Sequence, residues 1–525
     1  MDFTYLLLFT FFTIGFVNFC KWLKDRKRIW DAIEPIGGEK WYPLIGTCLE
    51  LIKTKRKDFY DVYCARNMKY GPFFRTWMGF IPAVHVMKPD HVERILSSTV
   101  NLTKGDNYRF VVPWLGEGLI TGSNHKKWRV HRKLITPTFH FSILDNMMEV
   151  MAEKGQFLAE QLVPKANGQF FNIYPFLTLC ELDIICETAM GVEVNAMKHS
   201  QSEYVRSVYG ISDIMLYRMF HPYLHPDFVF NLSSKGRQHK KYLSILHGFT
   251  RKVIQERKEK LTSGRDVVQE LSEEDKLLGK KKRLAFLDLL LEANKNSEGG
   301  LTDEDIREEV DTFMFAGHDT STVTVGWTLF TLSNYPEYQE KVHQELDEIF
   351  QGEERPITPQ DVLKMQYLDK VIKETQRLIP VVPVIARTLD QDLEIGGRTI
   401  PAGVMVVIHL ARLHKDPDQF PEPDRFDPER FLPENVSKRH PYSFVPFSAG
   451  PRNCLGRGLA NEQNASQPCH LGQKFALRNT KVLLASILRK YKVRAEKKID
   501  EMKYNIEIVL RPQGGLSVAL EPRRR

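Results

Sequence analysis

The sequence predicts a mainly α protein with small β-sheets, of the α+β class, in which one large domain follows an N-terminal membrane anchor. Three observations predict it. Apolar residues recur at helical spacing over Leu144 to Leu162, Tyr242 to Leu261 and Arg283 to Ala293. Short strand-like runs fall at Phe73 to Met78 and Ala83 to Met87, at Gly397 to His409, and as a hairpin pattern, Tyr504 to Leu510 and Leu516 to Leu520, around Gly514-Gly515. No repeat and no long Gly/Ser linker divides residues 50–525. Because the early strands need the late ones to complete a sheet, the body reads as one domain, although its length alone would suggest several.

Of the 525 residues, 42% are hydrophobic and 27% charged, which excludes a disordered, collagenous or low-complexity chain. Lys plus Arg exceed Asp plus Glu by 74 − 66 = +8, too diffuse an excess for nucleic-acid binding but compatible with a membrane surface or an acidic partner. Seven cysteines, Cys20, Cys48, Cys64, Cys180, Cys186, Cys454 and Cys469, are odd in number and scattered. That is the pattern of reduced thiols on the cytosolic side of a membrane.

The chain begins with Phe3 to Cys20, eighteen positions without a charge, followed at once by Lys21, Lys24, Arg26, Lys27 and Arg28. The run is just long enough to cross a bilayer. A signal peptide would carry its basic residues before the apolar run and a small-residue cleavage site after it; the order here is reversed. Residues 1–28 are therefore expected to be a single-pass anchor with a basic cytoplasmic flank, which leaves the body cytosolic and the sequons at Asn101 and Asn231 unglycosylated. Residues 29–49, with Pro35-Ile-Gly-Gly and Trp41-Tyr-Pro-Leu-Ile-Gly46, form a stiff connector, and 50–525 the folded body. The charged stretch Glu273 to Arg283 reads as a solvated loop.

Thr302-Asp-Glu-Asp305 is a capping-box-like start for a helix running to about Leu332. Within it, Ala316-Gly317-His318-Asp319-Thr320 opens a gap in side-chain volume where a ligand can approach the backbone, with Asp319 and Thr320 beside it to pass protons through water. Taken alone, a glycine, an acid and a threonine in a helix are more often structural. Glu374 and Arg377 share a helix face at i, i+3, a pair that is normally solvated. If Glu374 is buried and also bridges Arg430 in the Pro-rich segment Phe426 to Phe431, the three form a lock on that irregular segment.

The most specific passage is Pro446-Phe447-Ser-Ala-Gly450-Pro-Arg452-Asn-Cys454-Leu-Gly456. A lone thiolate can ligate a metal, and flanking glycines let the backbone turn beneath a flat cofactor with amides aimed at the sulfur. Arg452 is placed to meet an acidic group on it. No Cys-x-x-Cys is present, and Cys469-His470 lacks the two further ligands that zinc requires.

This passage resembles the F-x-x-G-x-R-x-C-x-G loop of the cytochrome P450 superfamily. The resemblance covers nearly the whole chain, because the small-Gly-x-Asp-Thr helix, the E-x-x-R pair, the P-E-R-F segment and the cysteine loop occur in family order. The wording around Glu309 to Thr320 and Pro446 to Cys454 is most similar to the fourth family, animal microsomal enzymes that include fatty-acid ω-hydroxylases. The resemblance implies a P450 haem domain over 50–525, with Cys454 as axial thiolate of haem b iron. It makes Arg452, Trp128, Arg132 and Arg387 propionate partners, with Phe447 and Gly450 shaping the loop at the thiolate. It puts Ala316, Gly317, Asp319 and Thr320 in an oxygen-binding groove with its proton relay, and it makes Glu374, Arg377 and Arg430 a structural triad. It further implies monooxygenation of a lipophilic substrate at the endoplasmic reticulum membrane, with electrons from NADPH through NADPH–cytochrome P450 reductase and with cytochrome b5 as a further partner. A peroxide-rearranging relative is disfavoured because Asp319-Thr320 is retained.

Two departures stand out. Many fourth-family members carry a glutamate where this chain has Ala316, and that glutamate can become esterified to haem; non-covalent haem is expected here. The family also passes directly from Cys-x-Gly into Gln-Lys-Phe-Ala, whereas here Arg457 to Gly472 intervene before Gln473-Lys-Phe-Ala476. These sixteen residues read as an in-frame insertion next to the iron ligand, and the alternative outcome is an inactive, haem-poor isoform acting at most as a membrane-anchored binding protein.

Overall fold

The computed structural model describes residues 3–139, 141–199, 202–263, 285–295, 301–455 and 471–523. The Glu273 to Arg283 stretch and Cys469 lie outside the described residues, and so does the predicted insertion up to residue 470. Its last two residues, Leu471 and Gly472, already begin the helix that carries Gln473-Lys-Phe-Ala.

The longer helices before the central one are α1 (Phe3–Ile33), α2 (Phe59–Tyr70), α3 (Pro89–Leu96), α4 (His125–Ile135), α5 (Phe141–Gln161), α6 (Tyr174–Met190), α7 (Glu203–Phe220), α8 (Ser234–Thr262) and α9 (Phe286–Lys295). After them come α10 (Asp303–Asn334), α11 (Pro336–Phe350), α12 (Gln366–Leu378) and α13 (Leu471–Leu488). The capping box at Thr302 forms as expected: its hydroxyl accepts from the Asp305 N–H, and the Asp305 carboxylate accepts from the Thr302 N–H. From there α10 runs 32 residues through the body. It is buried nearly all round: many of its residues are apolar, hydroxyls satisfy themselves on the helix, as Thr322 does on the His318 carbonyl, and buried charges are paired, Arg307 with Asp311 and Glu309 with His131. It packs chiefly on α6, and α13 packs on α5.

The main sheet has the order β1-β2-β7-β4, with β1 Phe73–Met78, β2 Ile81–Val86, β4 Val384–Thr388 and β7 Met405–His409. β2 and β7 pair in parallel, which requires the long crossover that joins the two ends of the chain. The early strands do need a late one, as the sequence implied. A shorter sheet is β3 (Phe171–Asn172), β11 (Ser517–Pro522) and β8 (Tyr491–Ala495); β5 (Leu393–Ile395) pairs with β6 (Arg398–Ile400), and β9 (Tyr504–Ile506) with β10 (Leu510–Pro512). The expected hairpin between 504–510 and 516–520 is therefore corrected. The first run folds on itself to give β9 and β10, while the second leaves past Gly514-Gly515 to join β8 and β3. A turn signal marks where a chain bends and not which strand it then meets.

The first 31-residue helix also shifts a boundary. α1 continues through the basic flank to Ile33, so the connector begins later than residue 29. Its C-terminal half docks on the body: Ile29 and Ile33 are buried, Trp30 packs against Trp41 and Trp77, and Arg28 pairs with Asp392 at 2.6 Å. Its N-terminal half presents exposed Phe9, Phe11, Phe12, Phe16 and Phe19. Among the described residues, no helix is long and apolar enough to cross a membrane; the expected span at Phe3 to Cys20 is not shown. The six described cysteines are free thiols, as expected.

Candidate active site

The cysteine loop is held by its own backbone. The Cys454 N–H donates to the Phe447 carbonyl at 3.0 Å and the Asn453 N–H to the Gly450 carbonyl at 3.1 Å. The bend demands glycine at 450, where φ is +69° and a Cβ would lie 1.7 Å from the Leu96 carbonyl oxygen at the end of α3. From α4, Arg132 clamps the loop by donating to Asn453 O at 2.7 Å and Asn453 Oδ1 at 2.6 Å. Cys454 is exposed. Surrounding protein pushes its thiol up, while the Arg132 charge and the Leu455 N–H pull it down.

Arg452 of the loop and Arg132 gather with Arg387 and Lys104 into one set of cations. Arg452 is buried, donates to Leu102 O at 3.0 Å and lies over Trp128 at 4.2 Å. Burial first, then the charge of Arg387, pushes it down to about 9. Arg387, on β4, is also buried and lowered by burial. Beside it stands Lys104, joined to Arg387 by a backbone bridge and held well below the usual lysine range by burial and by Arg387, Arg452 and Arg132. Among the described residues, none of Lys104, Arg132, Arg387 and Arg452 makes an ion pair. The buried indole nitrogen of Trp128 has no hydrogen-bond partner. Four gathered cations that make no ion pair among the described residues, plus an orphaned donor, fit an acidic group carrying more than one negative charge, as a haem with its two propionates does. Lys104 escaped the sequence reading, because a lone lysine before Gly105 belongs to no motif; only the fold brings it to Arg387.

On α10 the predicted groove residues separate. Ala316, Gly317 and Thr320 are partly open, and the Thr320 hydroxyl donates to the Ala316 carbonyl at 2.7 Å. Asp319 is fully buried and turned away, paired with Arg511 of β10 at 2.6 Å. Arg511 in turn pairs with Glu507. The arrangement gives Asp319 a structural partner and does not place it beside Thr320. At Gly317 an added Cβ would press on the Ile185 side chain of α6, so the glycine already has a packing role there.

Glu374 and Arg377 are fully buried on α12 and joined in a fork, Nε to Oε2 at 2.7 Å and Nη2 to Oε1 at 2.8 Å. The same carboxylate accepts from the Asp427 N–H at 2.8 Å and faces Arg430 at 3.5 Å. Arg377 also donates to the carbonyls of His414, Pro423 and Arg425. The three residues are brought together and tie down the irregular segment around Pro428–Phe431.

Next to the cation set, one face of the main sheet walls a cavity of about 190 Å³, closed opposite by Phe110, Met215, Phe220 and Ile508.

The family model described as Cytochrome P450 matches residues 36–464. Among curated proteins, the chain is 43% identical over 511 residues to cytochrome P450 4V2 of Mus musculus, covering 95% of this chain and 92% of that one. It is 41% identical to cytochrome P450 4c3 of Drosophila melanogaster (95% and 91%) and 41% identical to cytochrome P450 4V2 of Homo sapiens (94% and 91%). With such identity held across almost all of its length, the chain belongs to the cytochrome P450 family.

Proposed function

We propose that this chain is a membrane-anchored haem-thiolate monooxygenase that hydroxylates a lipophilic substrate, of the fatty-acid or related lipid class. The general activity, oxygen insertion by a monooxygenase, follows from the family. The observation that supports the site assignment is the exposed Cys454 thiol in a loop whose Arg452 gathers with Arg132, Arg387 and Lys104, four cations that make no ion pair among the described residues. Cys454 would hold a haem there, and the haem would supply O₂ activation for insertion of one oxygen atom into a C–H bond, with the other leaving as water. The chain's own residues do the rest. Arg452, Arg387, Arg132, Lys104 and Trp128 would hold the propionates, and Phe447 and Gly450 keep the loop bent. Ala316, Gly317 and Thr320 edge the distal side, where the Thr320 hydroxyl can hold or release a proton. Asp319, through Arg511, anchors β10 beside the turn whose Glu507 and Ile508 line the cavity. A methyl group at Ala316 offers no carboxylate for an ester, so the haem, haem b, is non-covalent.

Electrons would come from NADPH through NADPH–cytochrome P450 reductase, with cytochrome b5 as an accessory donor; the net positive charge suits an acidic docking face. The exposed phenylalanines of α1 and its charge-free start support attachment to the endoplasmic reticulum membrane.

The test is the absorption spectrum of the purified, reduced protein under carbon monoxide. A Soret band shifted strongly to the red is expected, lost in Cys454→Ser, with all haem extracted by acid-organic solvent. Absence of any haem band would favour the inactive isoform, and its return on deleting residues 457–472 would locate the cause.

A further inference from the structure

The sheet face that walls the cavity is unlike its other walls. In register, the residues pointing into the cavity are Thr76 of β1, Ala83 and His85 of β2, Met405, Val407 and His409 of β7, and Ala386 of β4. At the Met405 end the face is apolar and adjoins the cation set, for Ala386 precedes Arg387 and the Met405 sulfur lies against Gly105. Four residues along β7, about 13 Å away, the face turns polar. There the hydrogen bonds form one chain. Tyr63 Oη and Asn67 Nδ2, both from α2, reach His409 Nδ1 at 2.5 and 3.2 Å; His409 Nε2 meets His85 Nδ1 at 2.7 Å, and His85 Nε2 meets Thr76 Oγ1 at 2.7 Å.

The order of protons in this chain follows from its ends. The Asn67 amide donates, so His409 Nδ1 accepts and its proton sits on Nε2, donated to His85. His85 then carries its proton on Nε2 and donates to Thr76. Both imidazoles are neutral in this order, in keeping with burial, which lowers both rings and takes His409 to about 3. The chain ends with the hydroxyl hydrogen of Thr76 unused, on a buried residue of the cavity wall. Two cations add a positive field at this end: Arg66, which lines the cavity and pairs with Glu39, and Arg412. The one carboxylate on the opposite wall, Glu507, is held by Arg56 and Arg511.

We propose that Thr76, His85, His409 and Tyr63 are the specificity-determining residues of this cavity, receiving the carboxylate of a lipid whose hydrocarbon lies along the sheet toward the cation set. The free Thr76 hydroxyl donates to the carboxylate, the field of Arg66 and Arg412 favours its charge, and the fixed proton order of the neutral rings keeps that hydroxyl hydrogen available. The inference deepens the lipid reading given above and rests on it only for the direction in which the hydrocarbon points.

The test is equilibrium binding by calorimetry on the full-length, haem-loaded protein in detergent, with dodecanoic acid and its methyl ester as probes. Wild type should prefer the acid by on the order of ten-fold or more, as expected for a charge-assisted hydrogen bond. Thr76→Val and His409→Gln should bring acid and ester to equal affinity. If His409→Gln fails to load haem, Thr76→Val and Tyr63→Phe decide the matter. Equal affinities in wild type, or an acid preference that survives in variants with wild-type haem content, would overturn the assignment. Acid that binds with preference but is never oxidised would sink the hydroxylation reading and leave this one standing.

Discussion

Glu181 of α6 is 1% exposed, and the Asn479 amide donates to it at 2.5 Å. Burial, only partly offset by that donor, pushes its carboxyl up to about 8 from an ordinary 4.5. Between those limits the folded protein binds a proton that the unfolded chain has lost, so Glu181 makes stability fall as pH rises from about 4.5 to 8. Glu181→Gln should remove that dependence and raise stability at pH 8 by on the order of a few kcal/mol, measured as the urea midpoint across the pH range; a midpoint lower than wild type at pH 8 would refute it. Nothing in the sequence marks Glu181, which sits in an apolar helical run. Cys454 and Arg452 were legible because their loop is local and its glycine spacing is fixed by backbone geometry. Lys104, Thr76, His85 and His409 lie on four separate segments, and only sheet register brings them to a wall or a cluster.

At the scale of elements, α12 and the segment around Pro428–Phe431 depend on one carboxylate. Glu374→Ala leaves Arg377 buried against three carbonyls with no counter-charge. Breaking a buried pair in this way costs about 3–5 kcal/mol. The expected outcome is a correspondingly lower unfolding midpoint and reduced haem content, with Glu374→Gln less severe; a midpoint within error of wild type would argue that the lock carries nothing. The E-x-x-R spacing made the helical pair readable, and burial turned a normally solvated pair into a tether. Element boundaries were less legible. The run from Tyr504 has strand composition, yet its partner is its own continuation, because the residues that would have paired with it are claimed by β8.

For the whole molecule, one helix joins an exposed apolar start to a docked end, since α1 is buried against the body only in its later turns. Ile29 and Ile33 are buried in the body, and burying each such side chain is worth about 1.5–3 kcal/mol. A chain starting at Lys21 should therefore keep the thermal midpoint of the full-length protein and move to the soluble fraction. One starting at Glu34 should melt several degrees lower; equal midpoints for the two truncations would show that the docked turns of α1 contribute nothing. The overall architecture was legible because an early strand, β2, pairs with a late one, β7, as the strand-like runs implied.

The unbroken course of α1 has a geometric consequence. Its 31 residues span about 46 Å at 1.5 Å each, so its apolar start and its docked end turn as one shaft. At 3.6 residues per turn, one residue added between Cys20 and Lys24 rotates one end against the other by about 100°. The heading of the cleft relative to whatever holds the phenylalanines is thus set by residue count, as the phase between two gears on one axle is set by where each is keyed.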